Sequence, residues 1–186
     1  MLILASASPR RHELLVAAGI AHVVLPSSIV EQRREGESPR AFAMRMAEEK
    51  AFAVECDEED IVLAADTVVC VGEEVFGKPA GDADARRMLQ VLSGRDHWVH
   101  TGLYILSKSR RIRDVASTKV TFAALSQQEI ENYVKSGEGQ DKAGAYGIQG
   151  IASRFVSALE GCYTNVVGLP VALVYCHLKN LGVLSA

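Results

Sequence analysis

The sequence predicts an α/β fold, a mixed twisted sheet with flanking helices, and three observations carry that expectation. Two Ser-Pro pairs, Ser8-Pro9 and Ser38-Pro39, each place helix-start chemistry at the head of a helix-forming stretch. Ile61–Val71 is a nearly continuous apolar, β-branched run, the pattern of a strand covered on both faces. Strand-like and helix-like segments alternate along all 186 residues with no internal repeat, low-complexity tract or linker, so one domain spanning 1–186 is expected.

Leu2–Ala5 reads as a short strand. Ser8 follows as an N-cap with Pro9 in the first helical position, and the helix runs to Gly19, a residue suited to the left-handed turn after a helix. Ser38-Pro39 opens a second helix over about 39–55. Gly72-Glu73-Glu74 turns the 61–71 strand into a hairpin with Val75-Phe76. Asp82 is expected to cap a helix that ends at Ser93-Gly94. Strands near 97–107 and 110–124 follow, joined by the basic, solvated turn Lys108–Arg113. Ser126-Gln-Gln-Glu129 is a capping box for a helix over about 127–136. A Gly-rich stretch, Gly137–Gly150, leads to a strand near 154–159 and a last helix from Pro170 to Gly182.

Composition narrows the function. Lys and Arg total 20 against 23 Asp and Glu, a net charge of −3 with a pI near 6.0. That balance excludes a broad nucleic-acid surface but leaves room for a small basic pocket. No apolar run approaches the roughly 18 residues of a membrane span, and the N-terminus is apolar before it is basic, the wrong order for a signal peptide. A soluble, cytoplasmic protein without membrane or nucleic-acid partners is therefore expected. Cys56, Cys70, Cys162 and Cys176 lie far apart with no CxxC pair, against both a disulfide framework and a zinc site. Each is expected to be a small apolar filler.

Five places concentrate chemistry. In Ser6-Ala7-Ser8-Pro9-Arg10-Arg11 a strand runs directly into a helix whose start carries two hydroxyls and two arginines. Free N–H groups and the helix dipole favour an anion there, arginine forks match phosphate oxygens, and two uncompensated cations would oppose the dipole. A plain Ser8 cap with two solvated arginines is the alternative. On the second helix, with Phe42 at zero and about 100° per residue, Met46 falls near about 40°, Lys50 near about 80°, Ala43 near about 100° and Ala47 near about 140°. Lys50 thus sits mid-stripe among apolar neighbours, where an ammonium needs a carboxylate or an anion unless it snorkels along the helix edge.

Asp66 is the one carboxylate within Val62–Cys70, a stretch of sheet core. Asp is disfavoured in strands and almost never buried without a partner, so it binds a metal, activates a water or pairs with a buried cation. Gly77-Lys78-Pro79 holds a lysine between two backbone-restricting residues, suiting a phosphate contact. Asp141-Lys142-Ala-Gly144-Ala-Tyr146-Gly147-Ile-Gln149-Gly150 lets backbone approach a ligand closely, and Gln149 carries both a donor and an acceptor for a base edge. Together these cations outnumber what one phosphate requires, and a carboxylate beside them suits Mg²⁺ bridging to phosphate oxygens. No Walker-type Gly-x-x-x-x-Gly-Lys-Ser/Thr is present, which argues against a P-loop NTPase. Metal-assisted attack of water on a phosphoanhydride remains, with Asp66 orienting or deprotonating the water.

Those segments, with Glu48-Glu-Lys50-Ala, Ala65-Asp66-Thr67-Val-Val, Leu92-Ser-Gly94 and Asn165-Val-Val-Gly168-Leu-Pro170, resemble in order the Maf family of nucleoside triphosphate pyrophosphatases, from about residue 2 to 182. The resemblance implies a fold like that of inosine-triphosphate pyrophosphatases, with two lobes around a cleft, and a homodimer. It implies hydrolysis of the α–β bond of a nucleoside triphosphate to monophosphate and pyrophosphate with a divalent cation, Mg²⁺ or Mn²⁺. It makes Asp66 the proton acceptor and puts Arg10, Thr67 and Gln149 at positions that set substrate preference. Ser8, Arg11, Glu31, Lys50 and Lys78 match other polar pocket positions, with Asp66 and Glu31 as metal contacts. The loop over 141–150 is similar to the branch acting on dTTP and UTP; a sister branch prefers 7-methyl-GTP. A house-cleaning enzyme for the nucleotide pool is the leading expectation. The alternatives are a nucleotide-binding regulator of septation and a phosphatase releasing orthophosphate.

Overall fold

The structure, a computed structural model, describes residues 1–184; the last two residues of the expected 1–186 unit lie outside the described residues. Seven strands form one mixed sheet: β1 (Leu2–Leu4), β2 (Val23–Val24), β3 (Ile61–Val71), β4 (Glu74–Phe76), β5 (Asp96–Leu106), β6 (Arg111–Phe122) and β7 (Val156–Glu160). The order is β2-β1-β3-β5-β6-β7, with β4 paired to β3. β1 runs parallel to both β2 and β3, and the remaining pairs are antiparallel. Six helices flank the sheet: α1 (Pro9–Ala17), α2 (Pro39–Phe52), α3 (Asp82–Leu92), α4 (Gln127–Ser136), α5 (Tyr163–Val167) and α6 (Val171–Asn180).

β3 is the axis of the fold, and its apolar run is buried as the sequence predicts. Alternation along a strand sends successive side chains to opposite faces. Val62 and Ala64 pack with Ala47 and Ala51 of α2, whereas Leu63 and Ala65 pack with Leu15 of α1 and with Val174 and Leu178 of α6. The buried stripe of α2 is Phe42, Ala43, Met46, Ala47, Lys50 and Ala51, with Met44 and Pro39 beside it. A separate apolar cluster joins α3 and α4 to the far ends of β3 and β5 and to the aromatic side chains Phe122, Tyr133, Tyr146 and Phe155.

One feature of the sheet opens the site. β1 pairs only with Ile61–Leu63 of β3, and β4 covers the same edge from Val69 onward. Between them the edge of β3 around Asp66 has no neighbouring strand, while the other edge is continuously paired with β5 from Val62 to Cys70. The crevice beyond the carboxyl end of a parallel strand is where open α/β sheets bind ligands.

Several local expectations are corrected. Ser8 occupies the N-cap position of α1 but makes no capping hydrogen bond. Its own N–H instead donates to Ser6 Oγ at 3.2 Å, because the chain folds back onto the Ser6 hydroxyl. Asp82 is the first helical residue rather than the cap of α3; Gly81 takes the cap position, and Asp84 reaches back to the Ala80 N–H at 3.1 Å. α2 stops at Phe52 rather than 55, and a 3₁₀ turn, Ile151–Phe155, occupies the first residues assigned to the 154–159 strand. β2 and α5 were not expected; at two and five residues they carry almost no periodicity to read. Cys70 is buried as a filler, but Cys56 and Cys176 are exposed, because they sit past the end of α2 and on the outer side of α6. The Ser126 capping box is present in full.

Candidate active site

The open edge of β3 floors a cavity of about 690 Å³. Ser8, Arg10, Arg11, Glu31, Lys50, Asp66, Thr67, Lys78 and Gln149 all line it, so the residues singled out across 140 positions of sequence meet in one place. Pro9 and Arg10 bring the start of α1 to one wall, Lys78 follows β4, and Gln149 lies on the loop after α4.

Alternation of β3 decides the pairing. Asp66 follows Val62 and Ala64 onto the α2 face, where Lys50 Nζ donates to its Oδ1 at 2.5 Å. Thr67 takes the opposite face and meets α1, where Arg11 Nη2 donates to its Oγ1 at 3.1 Å. Lys50 also binds Glu31 Oε1 at 2.7 Å, so two carboxylates converge on one ammonium. Asp66 and Lys50 are only 6% and 9% exposed, whereas the Glu31 side chain is half exposed. Snorkelling is thus excluded for Lys50, and the buried-cation partner of Asp66 is real.

The electrostatics follow from burial and charge. Burial pushes the Asp66 carboxyl above its ordinary range, and the pull of Lys50 and Arg11 offsets this only in part. Partial burial works the same way on Glu31, but there the hydrogen bond and charge of Lys50 win and hold the carboxyl below its ordinary range. Burial also lowers the Arg11 guanidinium, against the attraction of Asp66 and Glu31. One carboxyl of the pair is therefore poised to accept a proton while its neighbour stays ionised.

Arg11 is not a solvated arginine. Its Nε donates to the Gly168 carbonyl at 2.8 Å and its Nη1 to Ser6 Oγ at 3.0 Å. Thr67 Oγ1 lies 2.9 Å from Thr101 Oγ1, and the Thr101 hydroxyl donates to the Asn165 carbonyl at 3.2 Å. Asn165 itself is fully buried, with Nδ2 donating to Val99 O at 3.0 Å and Thr118 Oγ1 at 2.9 Å. This polar chain under the cavity fixes Arg11 and Thr67, and Thr101 was not recognised from sequence. The signal was its place opposite Thr67 in a neighbouring strand, which requires the register. Arg10 is clamped by Asp141, Nη1 to Oδ2 at 2.9 Å. Lys142 on one side and Arg10 on the other overcome partial burial and hold the Asp141 carboxyl down to about 2.

Glu31 belongs to the irregular segment between β2 and α2, and it is held there by an arginine that sequence reasoning passed over. Arg45 forks onto Glu37, Nε to Oε1 and Nη2 to Oε2 at 2.7 Å each, and donates to the Gln32 carbonyl at 2.9 Å. Gly102, opposite Asp66 on β5, makes the approach of α2 possible: a Cβ there would lie 2.3 Å from the Ala43 carbonyl oxygen.

The chain is similar to known proteins over nearly its whole length. The family described as "Maf-like protein" matches residues 1–181. A protein of Koribacter versatilis named dTTP/UTP pyrophosphatase is 48% identical over 184 residues, covering 98% of this chain and 95% of its own. Proteins of the same name from Anaeromyxobacter sp. and Syntrophomonas wolfei are 50% and 48% identical, covering 97% and 96% of this chain and 89% and 96% of theirs. In fold, the Ham1 protein of Staphylococcus aureus superposes with a TM-score of 0.54 at 15% identity, covering 97% of this chain and 98% of its own. A HAM1 protein from Coxiella burnetii gives 0.50 at 15% identity, covering 96% and 98%. With a family match over nearly its whole length and relatives at close to half identity, the chain belongs to the Maf family.

Proposed function

We propose that this protein hydrolyses the α–β phosphoanhydride of nucleoside triphosphates, with dTTP and UTP as its preferred substrates, releasing the monophosphate and pyrophosphate. The observation that carries the reading is the buried Asp66 carboxyl, raised by burial and bonded to Lys50, at the floor of a cavity lined by five cationic side chains. The names of the Koribacter, Anaeromyxobacter and Syntrophomonas relatives support the substrate class.

Asp66 accepts the proton of a water whose oxygen joins the α-phosphorus. The α–β bridging bond breaks, and its electron pair leaves on pyrophosphate. Arg10, Arg11 and Lys78 neutralise the charge that gathers on the phosphate oxygens, and Lys50 keeps Asp66 ionised against the cost of its burial. Arg10, Thr67 and Gln149 set substrate preference; the Gln149 amide presents a donor and an acceptor to a pyrimidine edge, and Ser8 adds a hydroxyl at the start of α1. The lining sets five cations against the carboxylates of Glu31, Asp66, Glu138 and Asp141, so a divalent cation would supply part of the charge that a triphosphate needs.

Asp66 and Glu31 fit a divalent cation. Both carboxylates converge on Lys50 Nζ through one oxygen each, and together with phosphate and water oxygens they would form an ordinary donor set for Mg²⁺ or Mn²⁺. When bound, such an ion lowers the pKa of a coordinated water and screens phosphate charge.

The start of α1 lines the cavity through Pro9, Arg10 and Arg11, and the apolar cluster built on α3 and α4 lines it through Val69, Phe76, Tyr146 and Ile148; we read these walls as two lobes around a cleft. We read the protein as cytoplasmic and homodimeric, as the family resemblance implies; among the described residues no helix is long and apolar enough to cross a membrane. Sedimentation velocity tests the dimer.

The deciding assay supplies dTTP, UTP, 7-methyl-GTP and purine triphosphates with Mg²⁺ or Mn²⁺ and resolves the products. Pyrophosphate with monophosphate from dTTP and UTP is the expected result. Orthophosphate would make the protein a phosphatase, preference for 7-methyl-GTP would move it to the sister branch, and binding without turnover would make it a nucleotide-binding regulator.

A further inference from the structure

Glu138 is a carboxylate lining a pocket built for anions, and nothing in the chemistry above uses it. It opens the loop that carries Asp141, Lys142 and Gln149, directly after α4. Its Oε1 accepts from the Tyr133 hydroxyl at 3.0 Å and from the Ala152 N–H at 3.3 Å, and its Oε2 accepts from the Ile151 N–H at 2.7 Å. The Tyr133 oxygen in turn accepts from the Gly147 N–H at 3.2 Å. Lys142 Nζ donates to the Glu138 backbone carbonyl at 2.6 Å. One side chain at the start of the loop therefore grips its far end, and Gln149 lies between the gripped residues 147 and 151.

The packing is close, against the ends of the Glu138 and Lys142 side chains. A Cβ at Gly150 would lie 2.3 Å from Glu138 Oε2, and one at Gly147 would lie 2.8 Å from Lys142 Cε. The glycines of this loop leave room for Glu138 and Lys142 as well as for a ligand. Burial works against the ionised form, yet the Ile151 N–H, the Tyr133 hydroxyl and the Ala152 N–H together hold the Glu138 carboxyl below its ordinary range.

We propose that Glu138 is a positioning residue for base recognition: by tying the Tyr133 hydroxyl and the Ile151 and Ala152 amides to one carboxylate, it holds the 147–150 segment so that Gln149 faces the base. This rests on the assignment of Gln149 to the nucleobase. A carboxylate near a triphosphate is an electrostatic cost, and this scaffold role accounts for its presence.

The test compares Glu138→Ala, Glu138→Gln and Tyr133→Phe with the wild type. Glutamine is nearly isosteric, but its NH₂ group must face either the Ile151 N–H or the Tyr133 and Ala152 donors, so it cannot restore both sides. Steady-state kinetics with dTTP should show KM raised at least about tenfold in both Glu138 variants, from the loss of charge-assisted bonds. The kcat should stay within about threefold, because Asp66, Lys50 and Glu31 stand on other segments. Discrimination between dTTP and a purine triphosphate should fall by a similar factor. Tyr133→Phe frees the Gly147 N–H and takes one donor from Glu138 but leaves the Ile151 and Ala152 amides held, and should raise KM less.

Amide hydrogen exchange on the substrate-free protein is the independent readout. Exchange should accelerate at least about tenfold at both Ile151 and Ala152 in Glu138→Ala, and at one of the two in Glu138→Gln, whose carbonyl oxygen still serves the other. Wild-type KM and base discrimination in Glu138→Gln would overturn the proposal, as would kcat falling at unchanged KM. Should Glu138→Ala fail to fold, Glu138→Gln and Tyr133→Phe decide. Unaltered exchange in Glu138→Gln sinks this inference even if the wild type turns over dTTP. A wild type inactive on every triphosphate sinks the functional reading even if exchange accelerates.

Discussion

Replacing Asp66 by asparagine separates chemistry from architecture, because it removes a charge while keeping shape. In the native site Lys50 donates to Asp66 at 2.5 Å and to Glu31 at 2.7 Å, and Asp66 is 6% exposed. Stripping a buried ion of its only partner costs about 3–5 kcal/mol. Here the loss is smaller: the asparagine oxygen still accepts from Lys50, Glu31 still neutralises it, and the cost of burying the Asp66 charge disappears. About 1–3 kcal/mol is expected, and at about 2–4 °C per kcal/mol for a chain of this length the melting temperature falls by roughly 2–10 °C. Stabilities of about 5–15 kcal/mol leave the variant folded. Removing the general base should lower kcat by about 10²–10⁴-fold. The two effects are therefore separable by pyrophosphate release at saturating dTTP or UTP with Mg²⁺, read beside a thermal melt by circular dichroism. A folded variant with kcat within threefold of wild type would refute the reasoning and reduce Asp66 to the core ion-pair partner of Lys50.

Lys50→Met removes the cation that favours ionised Asp66, so the Asp66 carboxyl rises further; because it must be ionised to take a proton, the acid limb of the kcat/KM profile should move to higher pH, and an unmoved limb would contradict the pairing. Gly102→Ala puts a methyl group 2.3 Å from the Ala43 carbonyl, so α2 must back away from β5 and carry Lys50 with it; a loss of about 1–3 kcal/mol in thermal melts and a drop in turnover are expected, and an unchanged melt would show that α2 yields freely. His97 is buried against Tyr146, and burial holds its imidazole down to about 4 from an ordinary 6.5. The unfolded chain therefore takes the proton first as pH falls, so this contribution is complete above pH 6.5 and is lost toward pH 4, by up to about 3 kcal/mol. Urea melts at pH 7 and 4.5 should show a smaller difference in His97→Gln than in wild type; equal differences would remove His97 as the source.

Much of this site was legible in the chain. A lone carboxylate in the apolar run Val62–Cys70 and a lone lysine on the buried stripe of α2 each violate the local hydrophobic pattern, and each violation marks a side chain that lines the cavity. Arg11 was visible as a cation at a helix start, though its burial was not. The residues that went unread are those whose role depends on a neighbour distant in sequence. Thr101 matters because the β3–β5 register sets it beside Thr67, and Arg45 because it anchors the segment bearing Glu31. Glu138 sits next to the Gly-rich loop, but its grip on Ile151 appears only when the loop closes. Ser8 takes the cap position without a capping hydrogen bond, and its N–H donates to Ser6 Oγ, a local turn that residue types alone do not reveal.

The sequence by itself determined the order of the longer elements, the covered strand β3, the amphipathic face of α2 and the residue types of the site, because propensity, periodicity and the cost of burying charge act locally. Only the tertiary structure decided who meets whom. Period-two alternation along β3 sends Asp66 to Lys50 and Thr67 to Arg11, and the gap between β1 and β4 on one strand edge turns those pairs into the floor of a cavity. That outcome rests on strand order and register, which are settled by long-range burial and hydrogen bonding rather than by any stretch of chain alone.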